Sequence, residues 1–357
     1  MSLHFKKIRV REVRKETANC VSIAFDIPAE IAAEFAYQAG QYLTVRAFIN
    51  GEDVRRSYSL CSSPLQNEWR VAVKKAEGGI FSTFANEQLK AGDLLDLMPP
   101  LGNFFTQLHP SNHKHYIGIA AGSGITPVIS IIRTVLLTEP DSSFTLVYGN
   151  RNRHSIIFKQ ELEALKNKYI NRFGIINILS REMTDAAINH GRINAEKCSY
   201  LFEKALNIKA DEFFICGPEE MTLDIKEFLK GQGVNEEKIH IELFNTGNER
   251  KKTKGEKFKA DEEPASKITI KQDGSYFDFD LAFDDEAILD AALHHGADPP
   301  YSCKSGVCCT CKAKLLEGEV EMEVCYGLEP GEIKEGYILT CQSHPKTPKV
   351  VLDFDVK

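Results

Sequence analysis

The sequence predicts a multidomain chain: an antiparallel β-barrel, then an α/β domain with a parallel sheet, then a small acidic α+β module. Three observations predict it. Up to about residue 110, short alternating stretches rich in β-branched residues are separated by turns. From about His113, apolar strands alternate with helical patterns. From Lys267 to Lys357 there are 9 Lys, no Arg and 17 Asp or Glu, a balance of −8 in a chain whose net charge is −7.

The chain has 357 residues, 43% hydrophobic and 27% charged, which suits two or three globular domains. No apolar run approaches the roughly 18 residues of a membrane span. The first stretch, "MSLHFKKIRVREVRKETANC", has no apolar signal region. A reducing cytoplasm is therefore expected, where ten cysteines are free or bound to metal rather than paired. The negative net charge argues against nucleic acid as a partner.

The barrel, residues 1–110, is read from "KIRVREVRKET", "CVSIAFDIP", "QYLTVRAFING", "RRSYSLCSS" and "WRVAVKK", closed by the turn and proline stop of "LKAGDLLDLMPPLGNF". The α/β domain, 111–245, is read from the strands "HYIGIAAG", "SFTLVYGN", "INILSRE" and "EFFICGP". Between and after them come the helices "TPVISIIRTVLL", "IIFKQELEALKNKY" and "EEMTLDIKEFLKGQG". A polar, highly charged stretch with almost no large apolar residue follows. It is read as a flexible linker over 246–266, with one exposed helix as the other reading.

Several stretches could bind anions. In "AAGSGITP", Gly122 and Gly124 permit close backbone approach between a strand and a helix, and Pro127 fits a first helical position. The spacing is not that of the usual dinucleotide fingerprint, and a glycine turn here is often only structural. Arg151, Arg153 and Arg181 follow strand ends, where open α/β sheets bind ligands, and could converge on one anion; each could equally be a solvated surface residue. "CGP" at Cys216, Gly217 and Pro218 ends another strand at the same edge. In "RRSYSL", Arg56 and Tyr58 share one strand face. In "EGGIFSTF", Gly79, Ser82 and Thr83 stand at a helix start. By themselves these two read as a plain strand and a plain cap.

Taken in order, Arg56-Ser57-Tyr58-Ser59, Gly79-x-x-Ser82, "AAGSGITP" and "CGPEEM" resemble the ferredoxin–NADP reductase superfamily over about residues 1–245. The resemblance implies FAD bound by Arg56, Ser57, Tyr58, Ser59, Val73, Lys74, Gly79, Ser82 and Thr83, although an FMN-binding relative would share the Arg-x-Tyr-Ser strand. It implies a nicotinamide nucleotide at Gly122, Gly124, Thr126, Pro127, Arg151, Arg153, Cys216, Gly217 and Pro218, with Glu242 added to the cofactor site. Ser59 and Cys216 would be the catalytic residues. Ser180 and Arg181 would take a 2′-phosphate, which favours NADPH over NADH.

The cysteines complete the reading. Cys303, Cys308 and Cys311 are spaced C-x₄-C-x₂-C, and Cys341 lies 30 residues further on, the plant-type [2Fe–2S] arrangement. Zinc competes, but it usually takes paired C-x₂-C knuckles, and only one such pair precedes the long gap. Cys309 lies off the pattern, and Cys325 falls too early for the fourth ligand. Residues 267–357 resemble a plant-type ferredoxin, which implies a β-grasp-like fold.

A hydride donor, a flavin and a one-electron centre on one chain imply stepwise electron transfer. The sequence carries no diiron helix, haem motif or substrate domain, so the electrons are expected to leave to a separate protein. The domain order resembles reductase components of multicomponent oxygenases, with a terminal oxygenase as partner. The other readings are a reductase for a different hydroxylase or dioxygenase, and a non-enzymatic NADPH redox sensor.

Overall fold

A computed structural model describes residues 4–244, 265–283 and 285–356. Six strands build the first sheet: β1 (Lys6–Thr17), β2 (Cys20–Asp26), β3 (Tyr42–Ile49), β4 (Glu52–Ser59), β5 (Trp69–Lys74) and β6 (Leu94–Leu97), in the order β4-β3-β6-β1-β2-β5. A bridge between Leu60 and Val71 joins the two ends, so the sheet closes into the expected barrel. Alternation explains the strands. In β1, Ile8 and Val10 are buried while Lys7 and Arg9 face out, as a one-sided sheet requires. Helix α1 (Ile80–Glu87) plugs the barrel through Phe81 and Ala85.

The next sheet is parallel throughout: β7 (His115–Ala121), β8 (Ser143–Asn150), β9 (Phe173–Leu179), β10 (Glu212–Gly217) and β11 (Ile239–Leu243), ordered β11-β10-β7-β8-β9. Helices α2 (Ile125–Thr138), α3 (Lys159–Lys168), α4 (Ala195–Lys204) and α5 (Glu219–Gly231) accompany it. Two apolar clusters contain its strand residues, Ala120 and Leu146 in one, Ile117 and Ile119 in the other. With both faces covered, β7 reads as an almost continuous apolar run. The chain builds outward from β7 to β9, then returns to the other side of β7 for β10 and β11. That reversal opens a crevice at the carboxyl ends of β7 and β10, the usual ligand position. The sequence reading lacked α4 and β11; "IHIEL" is short and follows a turn-rich stretch, so its strand character comes from pairing with β10.

The C-terminal module has a mixed sheet, β13-β12-β18-β14-β16, from β12 (Ala265–Gln272), β13 (Ser275–Ala282), β14 (Lys312–Glu317), β16 (Tyr337–Leu339) and β18 (Lys349–Asp353). A small ribbon pairs β15 (Val320–Met322) with β17 (Ser343–Pro345), and helices α6 (Ile288–His294) and α7 (Pro330–Lys334) complete it. The β12–β13 hairpin turns on Asp273 and Gly274, at φ 51° and 74°, as a two-residue primed turn requires. The expected linker over 246–266 lies outside the described residues up to 264, whereas Ala265 and Ser266 already belong to β12.

The chain divides into two compact units: Lys6–Val54 with Tyr58–Thr246, and Gly247–Lys357 with the short pieces Met1–Phe5 and Arg55–Ser57. The barrel and the parallel sheet are thus packed as one unit. Among the described residues, no helix is long and apolar enough to cross a membrane.

Candidate functional site

The crevice at β7 and β10 gathers residues from distant parts of the chain. Ser59, at the end of β4, is 4% exposed, and its Oγ donates to Glu242 Oε2 at 3.0 Å. Glu242 lies on β11 directly opposite Cys216 of β10. The Gly-rich turn meets the same point: a Cβ on Gly124 would sit 2.1 Å from the Cys216 carbonyl oxygen, so only glycine permits this approach. Ser59, Cys216, Glu242 and Gly124 therefore form one constellation. Burial pushes the Glu242 carboxyl up to about 8, against the opposing pull of the Ser59 hydrogen bond. Burial, then the neighbouring Glu242, pushes the Cys216 thiol well above its usual value, so it stays protonated at neutral pH.

On the barrel side, Tyr58 of β4 is half-buried with its ring 5.4 Å from Phe81 of α1. Ser57 is half-buried, and Arg56 is exposed with its Nη1 donating to the Arg55 carbonyl at 2.7 Å. Gly79 is the N-cap of α1 and supplies no side chain, leaving the first amides of the helix open to an anion. Ser82 Oγ accepts from Ala76 N at 3.1 Å and donates to the Gly79 carbonyl at 3.2 Å, so it shapes that turn; Thr83 N bonds Gly79 O at 3.0 Å. The structure does not bring the Val73 side chain to the site. It is fully buried in the barrel core, and its carbonyl accepts from Asn86 Nδ2 at 3.0 Å.

On the parallel-sheet side, Gly122 takes φ 55°, and Lys74 Nζ lies 3.2 Å from where its Cβ would be. Desolvation, then Arg151, holds the Lys74 ammonium below its ordinary pKa. Lys74 thus brings a positive charge to the Gly-rich turn, with Arg151 near. Thr126 is buried and its Oγ1 donates to Ser123 O at 3.0 Å. Pro127 is the third residue of α2 rather than the first, because Gly122–Gly124 form a separate 3₁₀ turn ahead of it. Gly217 ends β10, and Pro218 is the N-cap of α5.

Of the three arginines, Arg153 has a carboxylate partner. Arg153 is turned to Glu182, which bonds its Nε and, at 2.8 Å, its backbone N. The adjacent carboxylate takes the charge that an anion would have used. Arg151 and Arg181 stay exposed and are joined through the backbone, Arg181 N to Arg151 O at 2.8 Å. Ser180 Oγ donates to Asn150 O at 3.3 Å. Sequence reasoning missed two neighbours. Tyr148 OH supports the glycine turn through Gly122 O at 2.9 Å, and Asn150 keeps a buried amide nitrogen without a partner among the described residues. Both lie in "VYGN", so the strand end itself was the available signal.

None of the ten cysteines is in a disulfide. Cys308, Cys311 and Cys341 are 6%, 1% and 6% exposed, and Cys303 is half-buried. Among the described residues no three His, Cys, Asp or Glu side chains stand in the geometry of a bound ion. The four thiols influence one another: Cys303 bonds Cys308, Cys311 bonds Cys341, and Cys311 also feels the charges of Cys308 and Cys303. The Cys308 thiol, then the Ser305 donors, favour thiolate at Cys303 and hold its pKa low. Ser305 N lies 3.4 Å from Cys303 Sγ, and the buried Ser305 hydroxyl is directed at the same thiolate. Gly306, at φ 72°, cannot be replaced freely, since its Cβ would lie 2.7 Å from Val324 O. Four thiols with donors turned toward them suit the ligation of an anionic iron–sulfur cluster. Cys309 and Cys325 are half-buried.

Fold and site together define a flavin- and iron–sulfur-dependent oxidoreductase. Three family profiles match: an oxidoreductase FAD-binding domain over 7–106, an oxidoreductase NAD-binding domain over 119–227, and a 2Fe-2S iron-sulfur cluster binding domain over 270–346. The chain is 46% identical to one of the subunits of 1,2-phenylacetyl-CoA epoxidase of Escherichia coli (strain K12), covering 99% of this chain and 98% of that protein. It is 34% identical to the ferredoxin reductase component of 3-ketosteroid-9-alpha-monooxygenase of Rhodococcus rhodochrous, over 97% and 96% of the two chains. Phthalate dioxygenase reductase shares the fold, with TM-score 0.59, 24% identity and 98% coverage of both chains. The chain belongs to the family of FAD-, NAD- and [2Fe–2S]-binding reductase components of oxygenases.

Proposed function

We propose that this reductase draws electrons from NADPH and delivers them through FAD and [2Fe–2S] to a separate terminal oxygenase, the diiron phenylacetyl-CoA epoxidase. The observation that carries the electron-transfer reading is the meeting of Ser59, Glu242 and Cys216 beside the Gly124 turn. When bound, the nicotinamide and flavin supply hydride chemistry, and the cluster supplies one-electron transfer. The chain's own residues orient and shield them. Ser59 donates to Glu242, the buried Cys216 thiol stays neutral, and Glu242 holds a proton near neutral pH.

NADPH is favoured over NADH because Arg181 is exposed beside Ser180 at the strand end, without, among the described residues, a carboxylate partner of the kind that Arg153 has. The phenylacetyl-CoA partner rests on the end-to-end 46% identity to the Escherichia coli protein. A steroid or other monooxygenase as partner is the second reading, supported by the 34% identity to the Rhodococcus protein. Ten cysteines with no disulfide among them support a reducing, cytoplasmic setting.

The test reconstitutes turnover with NADPH and the purified oxygenase component of phenylacetyl-CoA epoxidase, alongside a steroid hydroxylase. Product from the first alone supports the proposal. Ferricyanide reduction without product from either partner would retain the reductase and remove the assigned partner.

A further inference from the structure

The nucleotide domain grips the barrel at a segment just beyond Ser59. Cys61, Ser62 and Ser63 are all fully buried, and one face of α2 holds them. Ser130 Oγ donates to Ser62 O at 2.5 Å, and Arg133 Nη1 donates to Cys61 O at 3.1 Å. Thr134 Oγ1 lies 2.9 Å from Ser63 Oγ. Positions 130, 133 and 134 share one helix face by their i, i+3, i+4 spacing. Arg133 is itself held by Glu161 of α3, which also binds Arg14 of β1. Arg14 continues to Glu16 at 2.8 Å, Glu16 to Ser22 Oγ at 2.6 Å, and Ser22 to Arg70 at 2.9 Å. The polar chain leaves the barrel at Cys61 and returns to it at β1.

This contact closes a triangle. Ser59 is bonded to Glu242, Glu242 is paired with Cys216, and Cys216 is packed on Gly124. Gly124 caps α2, whose rigid first turns carry the link about 9 Å to Ser130 at 1.5 Å per residue. Cys61 and Ser62 then return it to Ser59 along the chain. Every side is a hydrogen bond, a ladder pair, a close contact or continuous backbone. The α2 contact adds a second polar tie to the one through β11, beside the apolar packing of Ala72 and Phe104 against α2.

We infer that Ser130 and Arg133, steadied by Glu161, are positioning residues that set the spacing between the nicotinamide and flavin sites for hydride transfer. The inference rests on the proposed NADPH–flavin reading. The step itself balances within that pair: the C4–H bond of the nicotinamide breaks, an N5–H bond forms on the flavin, and both electrons move with the hydride. None of the three residues lies in the constellation at Ser59, so their effect is on geometry rather than on chemistry.

The experiment uses the full-length holoenzyme as wild type, Ser130→Ala, Arg133→Met, Arg133→Lys and Glu161→Gln. Three quantities are read: the limiting rate of flavin reduction by NADPH in stopped flow, the Kd of NADP⁺ from flavin difference spectra, and amide hydrogen exchange over residues 60–66. The expected result is about a tenfold slower reduction in Ser130→Ala and Arg133→Met, below the ~100-fold that a 1 Å misplacement can cost. NADP⁺ affinity should hold within about twofold, exchange over 60–63 should rise, and Arg133→Lys, which keeps one donor, should fall between. If Arg133→Met does not fold, Ser130→Ala decides, since it removes a single hydroxyl. Faster exchange with an unchanged reduction rate overturns the inference, as does a rate loss matched by an equal loss of affinity. Failure of the wild type to reduce its flavin would instead remove the underlying reading, and this inference with it.

Discussion

Ser59 Oγ donates to Glu242 Oε2 at 3.0 Å, joining the end of a barrel strand to the last strand of the parallel sheet. The bond places a half-buried carboxyl beside the buried Cys216 thiol. It makes one site from two domains.

The pH response of Glu242 follows from its surroundings. Its folded pKa of about 8 stands above its ordinary 4.5, so the folded chain binds the extra proton between those values. Stability then falls as pH rises through that window. Glu242→Gln should flatten the fall in Tm between pH 5 and 8 relative to wild type, read by thermal unfolding of the holoenzyme. Parallel Tm profiles would contradict the shifted carboxyl. Ser59→Ala should leave the carboxyl harder still to ionise and extend the decline to higher pH.

Gly124 has room for no side chain. Gly124→Ala puts a methyl group 2.1 Å from the Cys216 carbonyl, and the turn or β10 must shift. Overpacking of this kind costs about 1–3 kcal/mol of stability. Denaturant unfolding should show that loss, and titration should show weakened NADP⁺ binding, while [2Fe–2S] absorbance is retained.

Serine at Cys303, Cys308, Cys311 or Cys341 should lose or alter the iron–sulfur absorption, because a hydroxyl is a poorer iron ligand than a thiolate. Cys309→Ser should keep its iron content. Iron and sulfide analysis with EPR of the reduced protein checks both, and a normal cluster in Cys341→Ser would shift the fourth ligand to Cys325.

Arg181→Ala should lower kcat/KM for NADPH by about 10- to 100-fold, the worth of one charge-assisted contact, and change it little for NADH. Arg153→Ala should have the smaller effect on NADPH, because Glu182 already occupies its guanidinium. Equal losses with both nucleotides after Arg181→Ala would leave that residue a structural one.

The −8 charge of residues 267–357 should steer this module toward a basic surface on the oxygenase. Raising salt shortens the Debye length from about 10 Å at 0.1 M to about 3 Å at 1 M. Partner-dependent turnover should therefore slow across a salt series, while flavin reduction by NADPH in stopped flow follows a different course. A flat partner-dependent rate would dismiss acidic docking and leave the reductase intact.

The sequence by itself determined what local pattern can carry. Alternation in β1, the apolar run of β7 and the Asp273-Gly274 turn each depend on neighbours a few residues away, so strand, buried strand and hairpin were legible. The thiol spacing named the cluster loop for the same reason. Resemblance placed Ser59, Cys216 and Glu242 among the site residues, yet the bond from Ser59 to Glu242 spans 183 positions, and no local period encodes such a partner. The tertiary structure alone decided that Arg153 turns to Glu182, that Val73 belongs to the core, and that α2 clasps Cys61 and Ser62. Each of those outcomes depends on which charge, cavity or carbonyl lies nearest after the sheets have packed. Periodicity specifies the face that a residue presents; packing chooses what that face meets.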